Sequence, residues 1–392
     1  MSGKIKLNSA SGGGSVSIQA PSSESNNRTL TLPSDADGII AKTDASGNLT
    51  VAGNLNTSNI NGGSIGTKNL VINGAMNLAQ RNVSSTGNGM YTVDRFLCTH
   101  SGTDEAPTQA QVDVASGTTP YTLGFRKAFR ITNGNQTGGA GVTDYITFAF
   151  KIEAQDVAAS GWNYTDTNSF ISCSFWVKSS VAQSFHGYFQ TFDGTIYIYP
   201  FETGTLTANT WTKVTKVIPG NSNLQFDMDR NPGLQFVVWP FIGTAYTNNT
   251  TSFNQWIEYA PNSDARMPDV TSTWYTTNDA TIEFTGVQLE VGSTPSSFVH
   301  ETYDETLRKC QRYYYVALPP NNSGKSVMNI TGYNTTYSYG HIQFNVTMRG
   351  NPSLQQVTGT GFYRAYGNNN LSSFDEFYLI SSSQTGAELR AP

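Results

Sequence analysis

Short runs in which apolar and polar residues alternate recur along most of the chain. Between residues 69 and 295 these runs are separated by turns rich in Gly, Asn and Pro. Alternation with a period of two predicts β-strands that bury one face. Such a series of short strands predicts a two-sheet β-sandwich or jelly roll over residues 69–300. The clearest predicted strands are 127–133, 144–152, 169–179, 185–192, 195–201, 210–218, 234–242 and 280–291.

Three of these strands differ in how much of their surface they are predicted to bury. Residues 170–177 (FISCSFWV) and 234–239 (LQFVVW) are apolar almost throughout, which is typical of strands covered on both faces. Residues 210–218 (TWTKVTKVI) alternate regularly, which indicates one exposed face. The same strands contain three tryptophans that we assign to the core: Trp176, Trp211 and Trp239.

The first 68 residues have a different character, because they contain no Trp, Tyr or Phe. A segment with so few large apolar side chains does not bury enough surface by itself to offset the entropy of the chain. It is therefore either a disordered linker or a β-rich stalk that intertwines with copies of itself. A regular succession of strands and turns favours the stalk, and we expect a homotrimer. Its short alternating runs are 15–20, 28–33, 37–42 and 47–53.

A helix is predicted after the sandwich, in a linking segment at 301–318. Thr302 and Glu305 have the spacing of a capping box, which marks a helix N-terminus. The helix is expected to bury an apolar stripe and to carry two i,i+4 ion pairs on its exposed side. The stripe is Tyr303, Leu307, Cys310 and Tyr314, and the pairs are Asp304–Arg308 and Glu305–Lys309.

The remaining residues follow a Pro-Pro pair and complete the predicted fold. Strands predicted at 340–348 and 374–382 indicate a small β-rich lobe. The pattern as a whole predicts an all-β protein with four parts. These parts are a short β-stalk at 1–68, a jelly-roll β-sandwich at 69–300, one short linking helix at 301–318 and a C-terminal β-lobe at 319–392.

Composition agrees with a β-rich chain and excludes several classes of function. Aromatic residues make up 12% of the sequence, whereas charged residues make up 13%, about half of the usual share of roughly 25%. The net charge of −5 is spread without a Lys/Arg patch, so no nucleic-acid partner is expected. No apolar run approaches the ~20 residues of a membrane span, so membrane insertion is not expected. The N-terminal residues lack the apolar segment of a signal peptide, which predicts assembly in a cytoplasm.

The sequence predicts no cofactor. Its three cysteines, Cys98, Cys173 and Cys310, are far apart and form neither a CxxC pair nor a zinc-binding spacing. Cys173 lies within an apolar strand, so a buried free thiol is expected there. Structural positions are expected for the other two.

The best candidate for a metal site is the segment DMDRNPG at 227–233. Asp227, Asp229 and Asn231 place oxygen atoms at alternate positions, as a Ca²⁺-binding loop does. However, the Gly falls one position late, and Val238 stands where a bidentate Glu is required. A polar turn explains these residues equally well, and no metal is predicted.

No residue pattern predicts an enzyme. The sequence contains no HExxH motif, and its GxSxG match, GGSIG at 62–66, lies in a Gly- and Asn-rich hinge and not in the strand-to-helix turn of a nucleophile elbow. Hydrolysis of a polysaccharide requires two carboxyl groups in a defined arrangement. Nothing in the spacing pairs any two of the candidate carboxylates, which are Glu258, Asp264, Asp269 and Glu283. A glycan-degrading enzyme is therefore the least favoured interpretation.

Sugar recognition is the chemistry that the polar, aromatic-rich loops favour. Aromatic rings provide apolar surface for a sugar ring, while Asn and Asp side chains hydrogen-bond to its hydroxyl groups. Loops outside the core often carry functions of this kind. The alternative is that these rings cap the sandwich or line a subunit interface. The candidate glycan-binding residues are Tyr246, Asn249, Trp256, Tyr259 and Asp264 within 243–269, and Trp162 and Tyr164 in a second polar turn.

Several blocks of the sequence resemble predicted phage tail-fibre proteins, and they occur in the same order. KNLVINGAMNLAQRN (68–82) followed by YTVDRF (91–96) is similar to the NLLINGDF…WQRG…YTADRW opening of that family, with Phe96 in place of its last Trp. The resemblance continues to TMRGNPSL at 347–354. The blocks between are SFWVKSS (174–180), NTWTKVTKVIPGN (209–221) and FTGVQLEVGSTPSSFVHETYDETLRKCQRYYY (284–315).

This resemblance implies a virion appendage protein with a β-sandwich akin to carbohydrate-binding modules. On that basis we expect a non-catalytic tail-fibre adhesin of the virion that binds host-surface polysaccharide or lipopolysaccharide. Its N-terminal segment is expected to contact other virion proteins. The sequence lacks the long N-terminal anchoring domain of podovirus-type fibres, which leaves head attachment open. The alternative is therefore a head or capsid decoration fibre with a mainly structural role.

Overall fold

The computed structural model describes residues 69–260, 265–317, 328–334, 336–367 and 370–391, together with the backbone of four short strands before residue 65. The chain divides into two compact units, Met1–Thr57 and Ser58–Pro392. This division falls earlier in the chain than the boundary predicted after residue 68.

The first unit contains an antiparallel hairpin of strands β1 (Lys4–Asn8) and β2 (Ser15–Gln19). The strand predicted at 15–20 is therefore present, and its partner precedes it in the sequence. The runs predicted at 28–33, 37–42 and 47–53 lie outside the described residues.

A sandwich of two six-stranded antiparallel sheets dominates the second unit. In chain order the strands are β3 (Asn59–Ile60), β4 (Gly63–Ser64), β5 (Ser84–Ser85), β6 (Phe96–Ser101), β7 (Thr108–Asp113), β8 (Lys127–Thr132), β9 (Tyr145–Glu153), β10 (Phe170–Ser179), β11 (Ser184–Thr191), β12 (Tyr197–Thr205), β13 (Thr212–Pro219), β14 (Pro232–Ile242), β15 (Ile257–Glu258) and β16 (Thr281–Val291). Sheet I has the order β13-β10-β16-β8-β7-β5, and sheet II has the order β15-β12-β11-β14-β9-β6. β3 and β4 pair only with each other. Every strand predicted in this region is present, with ends that differ by a few residues.

The core lies between the two sheets and is rich in phenylalanine. Phe148 of β9 stacks on Phe284 of β16 with ring centroids 4.0 Å apart, which joins sheet II to sheet I. Phe236 of β14 meets Phe175 of β10 edge-on at 5.3 Å. Such ring pairs stabilise a core beyond the area that they bury. As predicted, β10 and β14 are buried on both faces over most of their length, and β13 alternates between buried and exposed positions.

The outer face of sheet I is covered by the segment 292–300. The amide of Ser296 donates to Glu290 Oε1 at 2.6 Å, and the amide of Val299 donates to Gln288 Oε1 at 2.8 Å. Phe298 packs edge-on against Phe125 at 4.9 Å. The polar side chains on this face of β16 are therefore buried and hydrogen-bonded, as buried polar groups must be.

Four helices connect these strands and the C-terminal residues: α1 (Thr119–Thr122), α2 (Ala154–Ala158), α3 (Thr273–Thr276) and α4 (Tyr303–Gln311). Only α4 was predicted, because a single helical turn is too short to show a helical period in the sequence. No helix among the described residues combines the length and apolarity needed to cross a membrane.

Helix α4 has the predicted capping box, but the predicted apolar stripe is not buried along its whole length. Thr302 accepts a hydrogen bond from the amide of Glu305, and the Glu305 carboxylate accepts one from the Thr302 amide. Thr306 and Cys310 are buried, whereas Tyr303 is 61% exposed, so the predicted stripe is wrong at Tyr303. Tyr303 shares the face of Thr306 and Cys310 by its i,i+3 and i,i+7 spacing, but it lies in the first turn, where that face is open to solvent.

The predicted ion pairs on α4 are also replaced. Lys309 pairs with Glu301, which precedes the helix, instead of Glu305. The Glu305 carboxylate is engaged by the Thr302 amide and hydroxyl groups. The predicted Asp304–Arg308 pair is not among the ion pairs of the described residues.

The residues after α4 tie the sequence blocks at 68–96 and 308–315 together. The guanidinium of Arg81 lies 3.6 Å from the ring centroid of Tyr314, and that of Arg95 lies 3.5 Å from the ring centroid of Tyr313. The Gln80 side chain donates to the Tyr314 carbonyl at 3.2 Å. Two blocks that are distant in sequence therefore form one structural junction.

The C-terminal residues form a four-stranded sheet and a separate hairpin. The strands are β17 (Ile330–Gly332), β18 (Ser338–Gln343), β19 (Tyr363–Gly367), β20 (Asn370–Phe374), β21 (Tyr378–Ser382) and β22 (Gly386–Ala391). The sheet has the order β17-β18-β22-β21, and β19 pairs with β20. The β-rich lobe was predicted, but the strands predicted at 340–348 and 374–382 are shorter than expected. Directly after β18, residues 344–348 are held by isolated hydrogen bonds, such as that from the Met348 amide to the Gln384 carbonyl at 2.7 Å.

The three cysteines are buried free thiols. Cys173 lies at the centre of β10, as predicted, and Cys98 and Cys310 lie in β6 and α4. Burial raises the pKa of Cys98 to about 12 and also raises the pKa values of Cys173 and Cys310. All three thiols are therefore held in the neutral, unreactive form.

Candidate functional site

The outer face of sheet II carries a second cluster of apolar side chains on the side opposite the main core. On β14, Gln235, Val237 and Trp239 alternate with the core residues Phe236 and Val238. Successive side chains of a strand point to opposite faces, so the first three residues share the outer face. The cluster is therefore a direct result of the period-two pattern of β14.

Neighbouring strands extend this outer face by their register. Tyr188 of β11 lies opposite Val237, and Val237 lies opposite Ala149 of β9. Thr147 of β9 lies opposite Thr99 of β6, and the two hydroxyl groups are 2.6 Å apart. The face is thus aromatic and aliphatic at its centre and polar toward β6.

A cleft of about 280 Å³ opens on this face. Small-molecule sites usually have volumes of roughly 300–1,000 Å³, so the cleft lies near the lower end of that range. Its described lining contains four aromatic side chains, one aliphatic side chain, three neutral polar side chains and one cation. These residues are Thr99, Tyr145, Thr147, Tyr188, Gln235, Val237, Trp239, Tyr246 and Arg266.

Tyr145 contacts Trp239 and Tyr246 edge-on, and Tyr188 packs against Trp239 at a tilted angle. Tyr145 lies 5.7 Å from Trp239 and 6.1 Å from Tyr246, measured between ring centroids, and Tyr188 lies 6.0 Å from Trp239. Trp239 and Tyr188 are buried, whereas Tyr145 and Tyr246 are half-buried. The two half-buried rings therefore offer apolar surface to a ligand, and the two buried rings fix their positions.

A long loop after β14 supplies the remaining wall of the cleft. The Arg266 amide donates to the Tyr246 carbonyl at 2.9 Å, and the Asn248 amide donates to the Met267 carbonyl at 2.9 Å. Met267 is fully buried under the loop. These contacts hold both strands of the loop side by side, so Tyr246 and Arg266 reach the cleft together.

Arg266 is the one charged side chain in the described lining of the cleft. Its guanidinium lies 4.8 Å from the ring centroid of Tyr246, 5.7 Å from that of Tyr259 and 5.8 Å from that of Trp239. A cation at such distances from aromatic faces is attracted by their quadrupoles. Burial raises the pKa of Tyr188, and the nearby charge of Arg266 offsets part of that effect.

One buried donor in the cleft has no hydrogen-bond partner. Trp239 is 6% exposed, and its Nε1–H is unpaired among the described residues. A buried donor without a partner costs about 1–3 kcal/mol, so each such group requires an explanation, such as strain, an ordered water or a bound molecule. An acceptor on a bound molecule would satisfy this N–H group.

The structure places the predicted loop residues in different environments. Tyr246 lines the cleft, and Tyr259 is buried beneath Arg266, so the expectation of an exposed ring is wrong for Tyr259. Asn249 is exposed and exchanges hydrogen bonds with Asp269 at 2.9 and 3.1 Å, which stabilises the loop. Trp256 is half-buried against the main core and donates to the Pro219 carbonyl at 2.7 Å. Asp264 lies outside the described residues.

The second predicted group is part of the main core. Trp162 is only 3% exposed, and its Nε1–H donates to the Ser169 carbonyl at 3.3 Å. Tyr164 packs edge-on against Phe226 at 4.9 Å. The prediction of an exposed aromatic turn is therefore wrong for Trp162, because the turn folds back over the end of the sandwich and buries the ring.

The predicted metal and carboxylate candidates are separate from the cleft. Asp227 accepts a hydrogen bond from Gln225 at 2.9 Å, and Asp229 accepts two from Asn231 at 2.5 and 2.9 Å, which is the geometry of a polar turn. Among the residues that the structure describes, no three His, Cys, Asp or Glu side chains are placed to hold a metal ion. Glu283 lies on the other sheet, where it pairs with Arg130 and Lys178.

Of the nine described residues that line the cleft, only Tyr246 was predicted as a site residue, and the missed residues include Tyr145, Tyr188, Trp239 and Arg266. Trp239 is buried, as predicted, but in the outer cluster and not between the sheets. The alternation of Gln235, Val237 and Trp239 was a usable signal that these side chains share a face. The sequence did not reveal which face of β14 meets the main core.

Comparisons with known proteins find distant similarity to solved structures and no matching family. No family model matches this chain, and no curated protein matches it. Among solved structures, it is similar to the enzymatically active domain of tailspike protein 4 of bacteriophage CBA120, with 12% identity and a TM-score of 0.31 over 57% of this chain and 21% of that chain. The chain therefore spans about a fifth of that tailspike domain.

Two carbohydrate-binding domains are also similar to this chain. One is the family 11 carbohydrate-binding module from Clostridium thermocellum, with 9% identity and a TM-score of 0.24 over 54% of this chain and 98% of the module. The other is the N-terminal cellulose-binding domain of β-1,4-glucanase C from Cellulomonas fimi, with 8% identity and a TM-score of 0.26 over 56% of this chain and 99% of the domain. The fold assignment itself rests on the strand pairing described above. This chain is an all-β protein whose central part is a β-sandwich.

Proposed function

We propose that the sandwich binds glycans at the cleft on sheet II and does not modify them. The observation that carries this proposal is the buried, unpaired Nε1–H of Trp239 within an aromatic-lined cleft. Apolar walls with a few fixed polar groups are typical of small-molecule sites. A sugar ring matches this combination because it has both apolar C–H faces and hydroxyl groups.

The neighbouring groups support a ligand with many hydroxyl groups over a purely apolar one. Tyr145 and Tyr246 provide half-buried ring surface, while Gln235 and Thr99 add polar groups at the edge of the cleft. A purely apolar ligand would leave the Trp239 N–H unsatisfied, and the penalty for that group would remain. A hydroxyl or ring oxygen of a sugar near Trp239 would accept this hydrogen bond and remove the penalty.

Binding without hydrolysis is the form of the proposal that the described lining favours. Hydrolysis of a glycosidic bond normally requires two carboxyl groups about the bond. The described residues around the cleft supply none. Glu283, the most buried of the predicted carboxylates, forms ion pairs on the opposite sheet.

The sequence resemblance extends the proposal to a virion appendage. We propose a tail-fibre adhesin for host-surface polysaccharide or lipopolysaccharide, with the N-terminal unit as its attachment to other virion proteins. Several copies on one particle raise avidity by about 10²–10⁴ over a single site, so each cleft needs only weak affinity. The alternative of a head or capsid decoration fibre shares the same cleft and differs in its position on the virion.

The proposal is tested with a panel of bacterial surface polysaccharides and with calorimetric titration of each one that binds. Trp239→Phe keeps most of the ring and removes the N–H group, so we expect binding to weaken about five- to tenfold. Tyr246→Ala removes a half-buried ring and should weaken binding at least as much.

Trp211→Phe is the matched control. Trp211 also carries a buried, unpaired Nε1–H, but it lies just before β13 at the edge of sheet I. This variant should bind like the unmodified protein. Failure of the unmodified protein to bind any glycan, or equal losses in the Trp239 and Trp211 variants, would contradict the proposal.

A further inference from the structure

Arg266 introduces a positive charge into a cleft whose other described residues are neutral. None of the ion pairs among the described residues involves this guanidinium. Two other cations are paired with buried carboxylates: Arg312 pairs with Glu153 at 2.7 Å, and Lys178 pairs with Glu283 at 2.8 Å. Within the described part of the chain, the charge of Arg266 is thus balanced by aromatic rings and not by a carboxylate.

The fold holds this guanidinium in place. Backbone hydrogen bonding fixes Arg266 to Tyr246, and the side chain lies against the rings of Tyr246, Tyr259 and Trp239. A guanidinium positioned in this way loses little further freedom when it binds a ligand. Its fork of N–H donors matches the two oxygens of a carboxylate or phosphate.

Like the Arg266 guanidinium, the Trp239 Nε1–H group favours an acceptor oxygen on the ligand. Trp239 Nε1–H is unpaired among the described residues, whereas the Thr99 and Thr147 hydroxyl groups bond to each other at 2.6 Å. The cleft therefore has an unpaired hydrogen-bond donor and a cation, and both of these groups favour a ligand that supplies acceptor atoms. A partly buried cation attracts an anion more strongly than an exposed one does, because water screens the charge less.

We infer that the glycan bound here is anionic, with a uronic-acid carboxylate or a phosphate group that pairs with Arg266. This inference rests on the proposed glycan-binding function and names the class of glycan. The anionic group binds the guanidinium, and a neighbouring acceptor of the same sugar binds Trp239 Nε1–H. Tyr145 and Tyr246 contact the apolar face of the ring.

The experiment uses the full chain and each acidic polysaccharide from the panel in two forms. One form is native, and the other has its carboxyl groups reduced to alcohols or its phosphate groups removed by hydrofluoric acid. We expect the treatment that removes the bound acidic group to weaken binding by about tenfold or more. A loss on carboxyl reduction identifies a carboxylate, and a loss on phosphate removal identifies a phosphate. Arg266→Gln should weaken binding of the native form similarly and should bind both forms equally.

Arg126→Gln is the matched control, because Arg126 is also stacked on a ring, with its guanidinium 4.0 Å from the Tyr121 ring centroid and remote from the cleft. It should retain the preference for the acidic form. Equal binding of native and neutralised glycans by the unmodified protein, with a loss only in Trp239→Phe, would overturn the anionic inference and leave glycan binding in place. Failure of every glycan to bind would overturn both.

Discussion

At position 286 the backbone adopts a left-handed conformation, with φ +63°, that glycine accepts without strain. The pairing of β10 with β16 shifts there, from Ser174 opposite Gln288 to Trp176 opposite Thr285, which marks a β-bulge. A Cβ atom on Gly286 would lie 2.6 Å from the Phe125 ring. Both the dihedral angle and the space therefore require glycine at this residue.

Replacing Gly286 with alanine should destabilise the protein by two separable effects. The left-handed conformation costs about 1–2 kcal/mol for a residue with a Cβ, and the contact with Phe125 adds about 1–3 kcal/mol. The decrease in the free energy of unfolding from the unmodified protein to Gly286→Ala, measured with chemical denaturant, gives the sum of the two costs.

Gly117→Ala separates the two effects. Gly117 has φ +83°, and a Cβ added to it would meet no atom within 4 Å, so only the dihedral cost should remain. A loss at Gly117 as large as that at Gly286 would show that Phe125 moves aside at no cost.

At the scale of secondary-structure elements, helix α4 is joined to the sandwich through Glu153 at the end of β9. Arg312 donates to both oxygens of this buried carboxylate at 2.7 and 2.9 Å, and the Tyr313 hydroxyl donates to one of them. Burial opposes ionisation of Glu153, but these hydrogen bonds outweigh it and lower the pKa of the carboxyl below its usual value. The ionised form is therefore more stable in the folded protein than in the unfolded chain.

Glu153→Gln should destabilise the protein by about 1.5–3 kcal/mol at pH 7, because it removes the charge from these hydrogen bonds. In the unmodified protein this contribution is complete above the unfolded pKa of about 4.3 and is lost as pH falls through the lower folded pKa. The difference in unfolding free energy between the two proteins, measured from pH 7 to pH 3.5, should therefore narrow below about pH 4.3. A difference that stays constant over this range would contradict the ionised role of Glu153.

At the scale of the whole molecule, the two compact units differ in how they are stabilised. The second unit has a large aromatic core between its sheets. The first unit has no aromatic residue, and its described hairpin pairs Ile5 with Ile18 and Leu7 with Val16. Small segments with so little apolar surface usually need oligomerisation to be stable.

We therefore expect the full chain to form a homotrimer through its first unit. Light scattering at micromolar concentration should give about three times the 42.5 kDa mass of one chain. A chain limited to Ser58–Pro392 should be monomeric in the same measurement. A 42.5 kDa monomer for the full chain, or a trimer without the first unit, would contradict this assignment.

Local patterns were sufficient to predict most of the secondary structure. Eight of the twelve strands in the two sheets were found from short apolar or alternating runs, whereas β5, β6, β7 and β15 were not predicted, and the N-terminus of α4 was found from Thr302 and Glu305. Both signals depend on residues that are close in sequence, and local geometry determines them. The burial of the first turn of α4 was predicted less well, because the packing of the helix on the sandwich decides how much of its apolar stripe is covered.

The binding cleft shows what the sequence by itself determined and what tertiary structure decided. The sequence determined that Val237 and Trp239 share one face of β14, because side chains alternate along a strand. Tertiary structure decided that this face is the outer one and that Tyr188 and Arg266 join it, since strand order and loop docking depend on contacts between distant residues. The same long-range packing buried Trp162, whose polar sequence neighbours had suggested an exposed turn.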